Sequence, residues 1–160
     1  MNEGCSGITQ RKIQPQDEPF VFRVFAATHG LQFHQACLPE PMIRQLLEQQ
    51  YRGQQSQFRA HYPDADYDLV LSAGIPIGYI YTNYGPASIA LIDIALLPER
   101  RGQGTGTQVV RKLIEQSNAY GKPIDAHVAK GGRAWGLWQQ LGFKEVADYG
   151  VHLVIVRRPD

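Results

Sequence analysis

The stretch Arg100-Arg101-Gly102-Gln103-Gly104-Thr105-Gly106-Thr107 restricts what this chain can fold into more than any other. Glycine occupies alternate positions at 102, 104 and 106, following an apolar, strand-like run from Ile89 to Leu97. Beyond it, Val109, Val110, Leu113 and Ile114 recur at helical spacing. A strand that feeds a glycine-rich turn into a helix makes a seat for an anion. Without Cβ atoms in the way the backbone N–H groups can converge, and the free N–H groups and dipole of the helix start favour negative charge. Arg100 and Arg101 add positive charge at the same place. The expected guest carries phosphates.

Two familiar phosphate motifs fail on spacing. A P-loop needs G-x-x-x-x-G-K-[ST], and neither its Lys nor its second Gly falls where it should. A dinucleotide fingerprint, G-x-G-x-x-G or G-x-G-x-x-A, would end on Thr107 if read from Gly102, or on Val109 if read from Gly104. Asp125 does lie about twenty residues on, as a ribose-binding acid should. However, the strands before the turn read as hairpin-connected, which leaves dinucleotide binding a weak alternative.

Arg101-x-x-Gly104-x-Gly106 fits [QR]-x-x-G-x-[GA], the signature of the GNAT family of N-acetyltransferases. About thirty residues downstream, Ala134-x-x-Leu137-Trp138-x-x-Leu141-Gly142-Phe143 resembles that family's A-x-x-L-Y-x-x-L-G-F segment. The resemblance is close over residues 67 to 156 and extends to residues 7 to 66 only in general layout. It implies an α+β fold with a mostly antiparallel central sheet of six to seven strands and about four helices, its strands splayed around acetyl-CoA. Residues 1–160 would form a single acetyltransferase-like domain, with an acceptor side over 7–66 and a cofactor-binding core over 67–156. On the cofactor side the resemblance implies Arg101, Gly102, Gln103, Gly104, Thr105, Gly106 and Thr107 at the pyrophosphate. It also implies the main chain of Ile94 and Leu96 along the pantetheine arm, and Trp138 nearby.

The local patterns agree with that layout. Gly7 to Ile13 reads as a strand, and Phe20, Val21, Val24, Phe25 and Thr28 recur as a helix ending at His29-Gly30. A second helix starts at Pro39-Glu40-Pro41 and stops before Pro63. Tyr67–Ser72, Ile77–Thr82 and the run up to Leu97 read as a meander with turns at Ala73-Gly74-Ile75-Pro76 and Asn83-Tyr84-Gly85-Pro86. A helix from Gly104 to about Tyr120, a strand Ile124–Ala129 and a helix closing at Gly142 follow. Val146 and Val151–Val156 complete the sheet.

Composition narrows the partners. A net charge of +1 with scattered basic residues points to no nucleic acid. No apolar run approaches the ~20 residues of a membrane span. Met1 to Cys5 is polar, without the apolar core of a signal peptide, so the expected location is cytoplasmic. Cys5 and Cys37 lack metal-ligand spacing, and no metal is expected; they read as free thiols, with a single disulfide the alternative.

Acetyl transfer to an amine requires a held thioester, a neutral amine and donors for the developing oxyanion. Asp93, inside Leu91-Ile92-Asp93-Ile94-Ala95-Leu96, is a candidate base because burial would raise its pKa. The alternative is a carboxylate held by backbone N–H groups or an Arg. His127 is the second candidate, or simply a hydrogen-bonded strand histidine. Tyr79, Tyr81, Tyr149 and His152 are candidates for the acceptor pocket. Two positions depart from the family pattern: Trp138 stands where a Tyr acid is usual, and Gly131 where Asn is usual. Indole is no workable acid, so Trp138 either marks a lost acid, which Tyr149 could replace, or merely fills the core. The chain therefore reads as an acetyl-CoA-dependent N-acetyltransferase with a small-molecule amine acceptor, or as a non-catalytic acyl-CoA-binding module. Family members often pair, which admits a homodimer.

Overall fold

The computed structural model describes residues 7–130 and 134–160. Its strands are β1 (Ile8–Lys12), β2 (Asp66–Ser72), β3 (Ile75–Tyr84), β4 (Ile89–Leu96), β5 (Ile124–Ala129), β6 (Lys144–Asp148) and β7 (His152–Arg157). The helices are α1 (Glu18–His29), α2 (Leu31–Gln35), α3 (Glu40–His61), α4 (Thr105–Tyr120) and α5 (Trp135–Gln140). The strands form one seven-stranded sheet in the order β1-β2-β3-β4-β5-β7-β6. Every neighbouring pair is antiparallel except β4 and β5, which run parallel because α4 carries the chain back across the sheet.

The period-two alternation of the strands decides where the helices go. Val70, Ile80, Leu91 and Leu96 point to one face and bury Val109, Val110 and Leu113 of α4 with Trp138 of α5. Leu69, Tyr79, Tyr81 and Ala95 point to the other, against Val21 and Val24 of α1. There α3 adds Ile43 and Leu47 around Phe25. The Tyr79 and Tyr81 rings, expected at an acceptor pocket, are instead stacked core side chains, each 1% exposed.

One helix more than expected is present. The single turn α2 between Gly30 and Cys37 is too short to show a helical period; Phe33 packs it against the α1–α3 cluster and His34 Nε2 pairs with Glu40 at the start of α3. The closing hairpin completes the sheet as expected, with Val146 at a bulge in β6 and Val151 just ahead of β7, both exposed. Cys37 is an exposed free thiol. Cys5 and Gly131 lie outside the described residues.

Gly78 of β3 is where the sheet tolerates no side chain. A Cβ there would lie 2.2 Å from the Ala95 carbonyl oxygen and 2.9 Å from Leu96 Cα, both backbone atoms of β4. The two strands could not separate without breaking the central ladder. Gly78→Ala is therefore expected to destabilise the fold by about 3 kcal/mol or more, measurable as a fall in the urea midpoint at unchanged slope. An unchanged midpoint would mean that β3 and β4 can yield.

Candidate active site

The sheet opens at its parallel seam. β4 and β5 pair at Ile89–Ile124, Ala90–Asp125 and Leu91–Ala126, and no further. The parting follows from a bulge in β4: Tyr81 of β3 faces Asp93 and Thr82 faces Leu91, leaving Ile92 as the extra residue. A bulge bends its strand and increases the local twist, so β4 turns away from β5 just beyond Leu91. The slit that results encloses about 420 Å³ between the end of α1 and α5, with Thr28, His29, Asp93, Ile94, His127 and Trp138 among its walls.

The glycine turn stands where β4 leaves this slit. Gly102 and Gly104 have φ of +75° and +80°, the left-handed region that glycine enters at no steric cost. Gly104 is the N-cap of α4, and no side chain caps the helix. The N–H groups from Gly102 to Thr107 find no acceptor among the described residues, while the Gly104 carbonyl accepts the first helical bond, from Gln108. The turn is thus a ring of free donors at the positive end of a sixteen-residue helix, the chemistry of an anion seat.

Arg101, expected at the pyrophosphate, makes two side-chain contacts within the fold. Its Nε donates to the Leu96 carbonyl at 3.0 Å and its Nη2 to Thr28 Oγ1 at 3.2 Å. Thr28 in turn donates to the Val24 carbonyl. The side chain therefore ties the end of β4 to the end of α1, holding the mouth of the slit. Gln103 Nε2 likewise bonds the Glu99 carbonyl, within the turn.

Asp93 and His127, the two candidate bases, face the same slit from opposite strands. Asp93 Oδ1 accepts the Ile94 N–H at 2.9 Å and Oδ2 accepts the Tyr79 hydroxyl at 3.1 Å. Desolvation pushes its carboxyl up to about 6 from an ordinary 3.8, and these two hydrogen bonds pull the other way. At neutral pH it is ionised yet close to its pKa, which suits a base. Burial and the adjacent carboxylate raise the Tyr79 hydroxyl, so it stays protonated as a donor. The Ile94 N–H and the Leu96 carbonyl, expected along a pantetheine arm, are thus satisfied internally in this conformation.

The dinucleotide alternative fails on geometry. Asp125 pairs with Ala90 at the start of β4 and accepts a hydrogen bond from Ser88 Oγ. The glycine turn lies beyond the other end of that strand, ~20 Å of extended chain away.

A family model described as the acetyltransferase (GNAT) family matches residues 30–143. The chain belongs to the GNAT acetyltransferases. Solved structures agree on the fold. The PaiA N-acetyltransferase from Thermoplasma acidophilum, crystallised with coenzyme A, is 14% identical with a TM-score of 0.70, over 94% of this chain and 98% of that one. An acetyltransferase from Thermus thermophilus is 20% identical with a TM-score of 0.69, over 95% and 97%. The ribosomal-protein-S18-alanine N-acetyltransferase from Escherichia coli is 14% identical with a TM-score of 0.63, over 94% and 93%. No curated protein matches the sequence significantly.

Within this GNAT fold, Trp138 has a clear structural duty. The Phe143 N–H bonds the Trp138 carbonyl and the Gly142 N–H bonds the Gln139 carbonyl, the paired bonds of a Schellman cap on α5. Gly142 supplies the positive φ of +98°, and the Phe143 ring packs edge-on against Trp138 at 5.3 Å. Trp138 is buried at the cap while it also walls the slit. Tyr149, the proposed substitute acid, is not among the slit's walls; it is exposed and stacked on His152, which neighbours His127. One titratable wall residue was not among the candidates. His29 ends α1, packs on Phe25, and is held below the ordinary 6.5 by burial, so it is neutral at physiological pH. A histidine beside a helix-ending glycine reads as a terminator, and only the fold turns it toward Asp93's strand. Among the described residues no cluster of His, Cys, Asp or Glu could hold a metal, and no helix is long and apolar enough to cross a membrane.

Proposed function

We propose that this GNAT protein transfers the acetyl group of acetyl-CoA to the nitrogen of a small amine by direct attack. The observation that most supports the reading is the splayed seam, with free backbone donors at one end and the Asp93 carboxylate inside it. The donors from Gly102 to Thr107 suit the pyrophosphate, and the slit suits an extended arm lying beside β4. Acetyl-CoA supplies an activated thioester. An incoming ammonium first gives one proton to solvent, and Asp93 then accepts the second proton from the attacking amine as the N–C bond forms and the C–S bond breaks. The sulfur leaves as a thiolate or takes up a proton from solvent. With a thiol pKa near ~8.5 it leaves tolerably even without a dedicated acid. Residues 67–156 then form the cofactor core, and 7–66 contribute to the acceptor side.

Trp138 favours a second reading, a GNAT domain that binds acyl-CoA without turnover. Calorimetric titration with acetyl-CoA, against CoA and NADPH, tests both at once. Micromolar affinity for acetyl-CoA, roughly −8 kcal/mol, with none for NADPH is the expected result. Absence of acetyl-CoA binding would remove both readings, and binding without acetylation of any amine would favour the second.

A further inference from the structure

A second cavity, of about 410 Å³, lies against the slit and shares Leu91, Ile92 and His127 with it. It is formed where the last turns of α3 overhang the first residues of β4 and β5, on the face of the sheet that carries Asp93. Phe58, Tyr62, Ala90 and Ile92 give it an apolar lining, with His61 and Asp125 also among its walls. The two cavities adjoin at Leu91, Ile92 and His127 and together form one trough along the seam. A ligand lying in this second cavity has its nearest route to the slit past Ile92, toward Asp93.

The charges of this trough are one-sided. The carboxylates Asp93 and Asp125 line it, with the histidines His29, His61 and His127, and among its described lining residues there is no Lys or Arg. Cations on the adjoining elements are engaged elsewhere. Arg59 lies over the Tyr67 ring at 4.1 Å, Lys122 Nζ bonds the Gly85 carbonyl, and Arg101 is held by Leu96 and Thr28. An amino acid's carboxylate would have no cationic partner here and two carboxylates nearby, whereas an ammonium is drawn to both. An apolar body fits the wall of Phe58 and Ile92.

Resting on the acetyltransferase reading, we propose that this cavity is the acceptor subsite and selects a primary amine with an apolar, uncharged body over the corresponding α-amino acid. 2-Phenylethylamine and L-phenylalanine form a suitable pair of probes, since they differ only by the carboxylate. In titrations of the isotopically labelled protein, phenylethylamine is expected to shift the amide signals of Gln57, Phe58, His61 and Ala90. Phenylalanine should bind roughly tenfold more weakly or worse. Asp125→Asn should narrow that gap. Gln57→Trp, at an exposed position on α3 lining the cavity, should weaken phenylethylamine at least about tenfold while acetyl-CoA affinity stays as it was. Equal or tighter binding of phenylalanine would overturn the proposal, as would shifts confined to other surfaces or indifference to Gln57→Trp. Loss of acetyl-CoA binding in the unmodified protein would instead count against the acetyltransferase reading, so the two failures are told apart.

Discussion

Gly104→Trp is expected to abolish acetyl-CoA binding while leaving the fold intact. Gly104 is the N-cap of α4 at φ +80°, where an L side chain is strained by roughly 1–2 kcal/mol. A Cβ at this position meets nothing within 4 Å, so the indole has open space at the turn and does not clash with the core. There it would cover the N–H groups from Gly102 to Thr107, the donors that on the proposed reading hold the pyrophosphate. The loss should be at least about 100-fold in Kd, close to 3 kcal/mol, by calorimetry, with the circular dichroism spectrum unchanged. Gly104→Asn is the control, because asparagine enters the left-handed region at lower cost and does not fill the turn. It should retain most of the affinity. Equal affinity in the tryptophan variant would move the cofactor away from this turn.

The turn was legible in the sequence because its proposed role as an anion seat and its conformation need the same residue. Positive φ and close backbone approach both select glycine, so Gly102 and Gly104 announce them. The end of α5 was legible for the same reason, with Gly142 completing a cap that also explains Trp138. The interior of the site was harder to read. That Asp93 meets Tyr79 depends on strand register, and register here includes the extra residue Ile92. No local pattern in Leu91-Ile92-Asp93-Ile94 marks a bulge. The contacts Arg101 makes within the fold were not legible either, because Leu96 and Thr28 come from β4 and α1, and Thr28 lies 73 positions away. Tyr79 and Tyr81 were ambiguous because a tyrosine's ring and hydroxyl favour opposite environments. The packing of α1 and α3 resolved it, burying the rings and turning the Tyr79 hydroxyl to Asp93 and the Tyr81 hydroxyl to Gln55.

Asp93→Asn should act on rate and on stability in opposite directions. On the proposed reading the carboxylate is the base, so the amide should lower acetyl transfer by about 10²–10⁴-fold with little change in acetyl-CoA affinity. The geometry can persist, since Asn Oδ1 can still accept the Ile94 N–H and its amino group can donate to the Tyr79 oxygen. Stability should rise. The folded-state pKa of about 6 lies above the ordinary 3.8, so as pH increases the unfolded chain loses this proton first. The cost of the buried charge therefore builds between these two values and is fully present above pH 6. A shift of about two units corresponds to at most ~3 kcal/mol, and partial solvent access of the side chain makes the realised gain smaller. The stabilisation of Asp93→Asn relative to the unmodified protein, from urea unfolding at a series of pH values, should thus grow from pH 4 to pH 6 and then level off. Activity of the unmodified protein should rise across an acid limb centred near pH 6. His29 and His127 line the same slit, so the limb is assigned to Asp93 by its disappearance from the residual activity of the variant. A gain in stability independent of pH would mean that Asp93 is not desolvated as described. A variant as fast as the unmodified enzyme would leave Asp93 as a structural link between Tyr79 and Ile94, and the base would have to be sought at His29 or His127.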